Sequence, residues 1–138
     1  MSTVTRSKIK GRSQALTEGV RVQVESHFLP LHSAPDRDIY KFIYFVTIIN
    51  ERSRAVQLID RHWVITDAMG HVEEVRGPGV VGETPLIGPG SSHFYHSFCV
   101  LHTPFGQMSG SYGMVSMEGD RFSAEVASFN LLTPDALH

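Results

Sequence analysis

A disulfide bond within this chain is excluded, because its 138 residues contain one cysteine, Cys99. Secreted domains of this size commonly carry paired cysteines, so a single cysteine favours a reducing compartment, and we predict a cytoplasmic location. Long hydrophobic runs are also missing. The longest strongly apolar run, residues 42–49, is far below the roughly 20 residues that a membrane helix requires. We therefore predict that the chain is not membrane-spanning.

Neither sign of charge is in large excess. Lysine and arginine number 12 against 14 aspartate and glutamate, which gives a formal net charge of −2. Proteins that hold nucleic acid or an anionic membrane through their overall charge carry a basic excess. We therefore predict no nucleic-acid partner.

The N-terminal stretch has no acidic residue before Glu18 and no apolar segment like that of a secretory signal. We predict a flexible basic tail over residues 1–17, with a weak organelle-targeting or anion-contacting arm as the alternative. The rest shows no repeat and no low-complexity segment, which predicts one domain over residues 18–133 and a short C-terminal tail over 134–138. The basic residues of the N-terminal stretch are Arg6, Lys8, Lys10 and Arg12.

From residue 18 onward the hydrophobic pattern has a period of two and not the 3.6 residues of a helix. Val20, Val22 and Val24 alternate with polar residues, which is typical of a half-buried strand, and this segment is predicted to be the first strand. Residues 40–50 are apolar at both parities, which predicts a central strand covered on both faces. The other predicted strands are 56–66 and 71–76, a hairpin with Gly70 in its turn, then 93–101, 110–117 and 122–132.

Seven to eight short strands punctuated by glycine and proline, with no segment that reads as a helix, indicate an all-β fold. We predict an immunoglobulin/fibronectin type III-like β-sandwich, with a small barrel as the alternative. Most of the phenylalanine and tyrosine residues fall on predicted strands, where packing between the two sheets is their default role.

A glycine motif follows the predicted hairpin. Residues 77–82, Gly-Pro-Gly-Val-Val-Gly, match the G-x-G-x-x-G pattern of dinucleotide-binding folds. In those folds a helix follows the glycines, and Pro85, Pro89 and their neighbouring glycines forbid one here. The favoured interpretation is a glycine-hinged connection between sheets. The alternative is an anion site built from backbone amides, with Arg76 close by.

Metal-binding and catalytic patterns are weakly developed. The chain has eight histidines but no H-x-H or H-E-x-x-H spacing, and His93 and His96 are predicted to point to opposite faces of a strand. Asp60, His62 and Glu83 remain as candidates for a divalent cation, with solvated surface groups as the favoured interpretation. Cys99 is predicted to be an inert core thiol. No catalytic constellation is readable, so the sequence leans away from an enzyme.

The chain contains five longer motifs in a fixed order: LIDRHWVITD at 58–67, VRGPGVVGETP at 75–85, PG at 89–90, TPFGQM at 103–108 and GSY at 110–112. Together these motifs resemble the ApaG family. The resemblance implies a fibronectin-type β-sandwich in a small bacterial family whose gene name is linked with a diadenosine tetraphosphatase and which is associated with cobalt and magnesium efflux or resistance. Related domains occur in eukaryotic F-box and polymerase-interacting proteins, which implies a role in protein interaction.

The resemblance brings no catalytic residue and no required cofactor. We predict a non-catalytic binding or regulatory domain that contacts a protein partner through residues 77–90 and the adjacent hairpin face, with any effect on efflux indirect. The alternative is a small-ligand binder, for a nucleotide polyphosphate at the glycine loop or for cobalt or magnesium near Asp60, His62 and Glu83; an enzyme acting on a nucleotide ranks last. The candidate ligand- or partner-binding residues are Arg61, His62, Trp63, Arg76, Gly77, Gly79, Gly82, Glu83 and Pro85.

Overall fold

A computed structural model describes residues 4–9 and 11–134, which form ten strands and two short 3₁₀ turns, Pro30–His32 and Pro35–Arg37. Residues 1–3, residue 10 and residues 135–138 lie outside the described residues, and with them parts of both predicted tails. The strands are β1 Val4–Ile9, β2 Arg12–Thr17, β3 Val20–Phe28, β4 Tyr40–Asn50, β5 Val56–Asp67, β6 Val72–Pro78, β7 Leu86–Ile87, β8 Ser92–Leu101, β9 Phe105–Ser116 and β10 Arg121–Leu132.

The strands form two antiparallel sheets. The order of the first sheet is β1-β2-β3-β4-β8, and that of the second is β10-β9-β5-β6, with β7 paired to β5. Two open sheets packed through their apolar faces make a β-sandwich. The predicted all-β sandwich is therefore confirmed, and the barrel alternative is not. The predicted count of seven to eight strands is too low, because β1, β2 and the two-residue β7 have no alternating hydrophobic pattern from which they could be predicted. Among the described residues, no helix has the length and apolar character needed to cross a membrane.

The core lies between the sheets and follows from the alternation along each strand. In β4, Phe42, Tyr44, Val46 and Ile48 are buried, while the intervening side chains are half-buried. The prediction that β4 is covered on both faces is wrong. Its second apolar face is shielded by in-sheet neighbours, as in the stack of Phe45 on Phe94 with ring centroids 6.1 Å apart. Cross-strand contact of this kind makes both parities apolar without a further layer.

Trp63 anchors the centre of the core. Its ring contacts those of Tyr44, Tyr112 and Phe129, with centroids 5.4, 5.9 and 6.0 Å apart. Tyr44 comes from the first sheet and the other two come from the second. Burying an aromatic side chain of this size contributes about 1.5–3 kcal/mol, so these rings are a principal attachment between the sheets.

The prediction of a flexible tail is wrong for residues 12–17. They form β2, and every residue of β2 pairs with a residue of β3. Ser13, Ala15 and Thr17 are buried. The Ser13 hydroxyl donates to the Ala127 carbonyl at 2.7 Å, and the Thr17 hydroxyl oxygen accepts from the Glu125 amide at 3.1 Å. Small and hydroxyl-bearing residues give no hydrophobic alternation, so this strand was not expected. The sandwich consequently begins at β1, before residue 18, and the Val20 strand is the third.

The predicted hairpin of β5 and β6 is confirmed. Gly70 has φ +86°, and its amide donates to the Asp67 carbonyl at 3.1 Å. An Asp67 carboxylate oxygen also accepts from the amides of Met69 and His71, at 2.8 and 3.0 Å. The carboxylate and the positive-φ glycine together close the turn, as turn chemistry requires.

Candidate binding surface

A bulge in β5 determines which candidate residues point inward. The register between β5 and β9 shifts between Leu58 and Asp60, so that Arg61 pairs with Tyr112 and His62 with Ser111. Because Tyr112 is buried, Arg61 shares the inner face with it and His62 lies on the outer face. Neighbouring candidates from the same motif therefore lie on opposite sides of the sheet.

Arg61 fastens the start of the glycine loop. Its guanidinium Nη1 donates to the carbonyls of Pro78 and Gly79, at 2.9 and 3.0 Å. Gly77 lies opposite Arg61 in the hairpin, and a Cβ there would lie 2.9 Å from the guanidinium Nη2. The glycine leaves space for the arginine, so these two candidates serve one local structure.

The loop itself turns sharply between Val80 and Glu83. The Val80 amide donates to the Glu83 carbonyl at 2.8 Å, and the Glu83 amide donates to the Val80 carbonyl at 3.0 Å. The central residues, Val81 and Gly82, have φ +47° and +78°, as in a type I′ turn. A Cβ on Gly79, which has φ +58°, would lie 2.1 Å from the Glu83 carbonyl oxygen. The glycine motif is thus a tight turn between two strands.

The backbone amides of this turn are largely engaged within the protein. The Gly79 amide donates to the Ile59 carbonyl at 2.8 Å, at the β5 bulge, while those of Val80 and Glu83 close the turn. Arg76, which was predicted to assist an anion site, is exposed and lies 3.7 Å from the Glu74 carboxylate. Amides that donate to carbonyls are not available to cradle a phosphate.

Further hydrogen bonds attach the end of the loop to β5. The Pro85 carbonyl accepts from the Leu58 amide at 3.0 Å, and the Thr84 carbonyl accepts from the Gln57 side chain at 3.0 Å. Val80 is buried beneath the turn. The loop is therefore anchored at its start, middle and end.

The three residues predicted as divalent-cation candidates have three different partners. A carboxylate oxygen of Asp60 lies 3.4 Å from Arg121, His62 Nε2 lies 2.7 Å from Glu74, and Glu83 lies 3.9 Å from His93. Throughout residues 4–9 and 11–134, no group of three or more histidine, cysteine, aspartate or glutamate side chains is arranged to hold a metal ion.

Beneath the loop, the core contains a set of polar groups. The hydroxyls of Tyr95 and Tyr112 hydrogen-bond to each other. Burial raises the pKa of both hydroxyls, so they stay neutral at physiological pH. In the described part of the chain, the buried Trp63 Nε1 and His93 Nε2 have no hydrogen-bond partner. His93 is on the inner face and His96 on the outer face of β8, as predicted.

Cys99 is the inert core thiol that the sequence predicts. It is buried on the inner face of β8. Burial, and to a lesser degree the charge of Glu73, raise the pKa of its thiol to about 12. A thiol that does not ionise near neutral pH is a poor nucleophile.

Apolar side chains surround the glycine loop on the outside. Val81 is 66% exposed at the tip of the turn, and Leu86 is exposed to the same extent on β7. Val72 and Val75 are exposed on β6, a strand whose residues 72–76 are all exposed. The loop and β6 thus form one accessible surface with apolar and charged groups side by side.

A second exposed apolar surface was not expected from the sequence. Phe94, Phe98 and Val100 are 60%, 48% and 48% exposed on the outer face of β8, although phenylalanines on strands were predicted to be mostly core. The alternation along β8 explains this exposure. Tyr95 and Cys99 point inward, so the even-numbered residues of the strand must point outward. Phe94 and Phe45 also line a depression of about 470 Å³ whose polar side includes Arg12, Gln14, Gln23 and Glu25.

Comparison with known proteins gives one consistent family. Residues 30–116 match the family model described as the ApaG domain. The chain is 50% identical over 119 residues to Protein ApaG of Azotobacter vinelandii, covering 86% of this chain and 94% of that protein. It is 48% identical over 124 residues to Protein ApaG of Shewanella oneidensis, covering 90% and 98%.

Solved structures agree with the sequence comparison. An X-ray structure of a structural-genomics target has a TM-score of 0.82 at 48% identity, covering 87% of this chain and 91% of that one. A crystal structure of a Bordetella pertussis protein named ApaA has a TM-score of 0.82 at 40% identity, covering 91% and 98%. The structural similarity therefore extends over about nine tenths of this chain.

Proposed function

Given that this chain belongs to the ApaG domain family, we propose that it is a non-catalytic protein-binding module whose contact surface is β6 together with the glycine loop, residues 77–90. This surface contains Arg76, Gly77, Gly79, Gly82, Glu83 and Pro85 of the candidate residues, with Arg61 fastening it from within. Trp63 supports it from the core, and His62 lies beside it through its contact with Glu74.

The observation that carries the proposal is the conformation of Val81. It has φ +47°, in the left-handed region, and its side chain is 66% exposed. A β-branched residue is a clear outlier there, and asparagine or glycine would fit a type I′ turn without strain. Holding Val81 in this position costs stability and exposes an apolar group to water. Strain and exposure at one residue are typical of a binding contact.

The backbone of β6 supports the same role. It pairs with β5 along one side, and within the described residues no strand pairs with its other side. A free strand edge offers amides and carbonyls to an extended peptide, which then adds a strand to the sheet. Glu73, Glu74 and Arg76 give this edge both signs of charge, which would select the sequence of the peptide.

The small-ligand alternative has less support. A polyphosphate would have to compete for the amides of Gly79, Val80 and Glu83 and for the Arg61 guanidinium, all of which donate to carbonyls of the protein. A divalent cation would have to separate Asp60 and His62 from Arg121 and Glu74. The resemblance implies a link to cobalt and magnesium efflux, and we attribute that link to the partner protein. The cytoplasmic location stays a prediction.

The proposal is tested by affinity capture with the immobilised full chain. Val81→Asn removes the apolar contact while suiting the turn, and Arg76→Glu reverses a charge on β6. Leu31→Asn is the matched control, because Leu31 is 94% exposed on the 3₁₀ turn between β3 and β4. We expect a protein captured by the wild type and by the control to be lost with both surface variants.

Two outcomes separate the alternatives. Equal recovery of the same partner by wild type, Val81→Asn and Arg76→Glu would exclude this surface. Saturable calorimetric binding of diadenosine tetraphosphate that Arg76→Glu weakens, or of magnesium that Glu83→Gln weakens, would favour the small-ligand function instead.

A further inference from the structure

The edge of the first sheet is a long strand without charge. β8 spans Ser92–Leu101, ten residues that include no lysine, arginine, aspartate or glutamate. It pairs with β4 on one side, and in the described part of the chain no strand pairs with the other. Its outer edge therefore offers a row of unpaired backbone groups.

The other sheet edges of this protein differ from β8. Natural proteins place charged residues on edge strands, which opposes edge-to-edge pairing with further copies of the same chain and leaves such an edge only to a partner of complementary charge. Among the other edge strands, β1, β6 and β10 carry charged residues, and β7, with only two residues, is too short to recruit a partner strand; β8 is both long and uncharged. The charged residues are Arg6 and Lys8 on β1, Glu73, Glu74 and Arg76 on β6, and Arg121 and Glu125 on β10.

The side chains of β8 add an apolar stripe along the same edge. Phe94, Phe98 and Val100 share the outer face and are each about half exposed or more. Apolar neighbours on β4 extend the stripe: Phe45 stacks on Phe94, and Ile43 pairs with Phe98. An uncharged edge beside a continuous aromatic stripe is suited to strand pairing that also buries rings.

We propose that the occupant of this edge is a second copy of the chain, with β8 paired antiparallel to the same strand of its partner about a two-fold axis at His96. Phe94 and Phe98 lie two residues before and after His96. When His96 faces the partner's His96, Phe94 faces the partner's Phe98, and Phe98 faces the partner's Phe94. The edge is thus self-complementary, as an isologous interface requires.

Two features favour a copy of this chain over an unrelated partner. In the register about His96, residues at equal distances on either side of the axis face each other, and β8 has no charged residue that could meet a like charge there. The register that pairs the exposed phenylalanines with one another follows from their equal spacing about His96. Tyr95 and Cys99 point into the core of their own subunit, so pairing leaves each sandwich intact.

Disulfide trapping of the full chain tests the register. In antiparallel strands, facing residues have Cα atoms about 4.5–5.5 Å apart, within the range of a disulfide. His96→Cys should crosslink two chains on oxidation, as should the double variant Phe94→Cys/Phe98→Cys. Phe94→Cys is the matched control, because residue 94 does not face its own equivalent in the partner. The wild type shows whether the buried Cys99 forms crosslinks by itself. Equal crosslinking of His96→Cys and Phe94→Cys, or none in either, would overturn the register.

Sedimentation measurements test the association itself. We expect the wild type to form dimers as its concentration rises, and Phe98→Glu to weaken dimerisation at least about 10-fold. This variant should fold, since Phe98 is half exposed and the Lys41 ammonium lies 4.6 Å from its ring centroid. Phe105→Glu is the control at an equally exposed phenylalanine on β9. A single-chain mass at concentrations up to about 500 µM, or equal effects of both variants, would overturn the proposal.

Discussion

The hydroxyl of Tyr95 hydrogen-bonds to the hydroxyl of Tyr112 inside the core, which joins β8 of the first sheet to β9 of the second. Both side chains are buried. Because no other hydrogen-bond partner of either hydroxyl is found among the described residues, each satisfies the other. The pair is a polar connection within an apolar core, and it has measurable consequences.

Removing one hydroxyl of this pair should cost more than removing both. Tyr112→Phe leaves the Tyr95 hydroxyl buried without a partner, which should lower the free energy of unfolding by about 1–3 kcal/mol. Tyr95→Phe/Tyr112→Phe removes both groups, so its effect should be smaller than the sum of the single effects. Urea unfolding of the four proteins measures this coupling. Strictly additive losses would mean that the two hydroxyls do not depend on each other.

Stability should fall in alkaline solution. Burial raises the pKa of the hydroxyls of Tyr44, Tyr95 and Tyr112, so the folded state retains protons that an unfolded tyrosine loses near pH 10. A group whose folded-state pKa is raised lowers the free energy of unfolding as the pH rises past its unfolded-state value. Thermal unfolding between about pH 8 and 11 should show this decline.

The variant Tyr95→Phe/Tyr112→Phe provides the control for the pH experiment. It removes two of the buried hydroxyls, so the decline above about pH 10 should be less steep than in the wild type. An unchanged slope would assign the alkaline loss to other groups.

Two glycines of the loop should respond differently to alanine. Gly82 has φ +78° and open space around a Cβ, so Gly82→Ala should cost about 1–2 kcal/mol from its backbone conformation. Gly79 has φ +58°, and a Cβ there would lie 2.1 Å from the Glu83 carbonyl oxygen, so Gly79→Ala should cost clearly more. Guanidinium unfolding compares the two variants. Equal losses would contradict the close approach of Glu83.

Val81→Asn should stabilise the protein, although it alters the proposed binding surface. Asparagine followed by Gly82 suits a type I′ turn. The substitution also removes the β-branched side chain that is strained at the left-handed φ of residue 81. We expect a gain of about 1 kcal/mol in the free energy of unfolding. Val81→Thr is the matched control, because it keeps the β-branch and should bring no such gain. A loss of stability with Val81→Asn would remove the argument that Val81 is strained.

The sequence predicts the hairpin better than it predicts the surface around it. The turn at Asp67 and Gly70 has its own chemistry, so its strands could be located from residue types. β2 could not, because Ser13 and Thr17 are buried through hydrogen bonds to β10, and such contacts leave no hydrophobic pattern. Secondary structure without hydrophobic alternation depends on long-range partners.

The spacing of the candidate residues along the sequence also did not reveal which of them share a face of the sheet. The bulge after Leu58 determines that Arg61 and Trp63 point inward while His62 points outward. A bulge inserts a residue without a distinctive sequence pattern, so strand parity could not be extended from Val56 through Trp63. The exposed stripe on β8 was more accessible, since Tyr95 and Cys99 reveal its inner parity.

Cys99 should react slowly with thiol reagents in the folded protein. Burial, with a smaller effect from Glu73, raises the pKa of its thiol to about 12, so little thiolate forms near neutral pH, and the side chain is covered by the core. Labelling with a disulfide reagent at pH 8 should proceed only through opening of β8, and it should become fast in denaturant. Phe98→Glu, which alters the outer face of the same strand, should leave the labelling rate of the isolated chain nearly unchanged. Rapid labelling of the folded wild type would contradict the inward placement of Cys99.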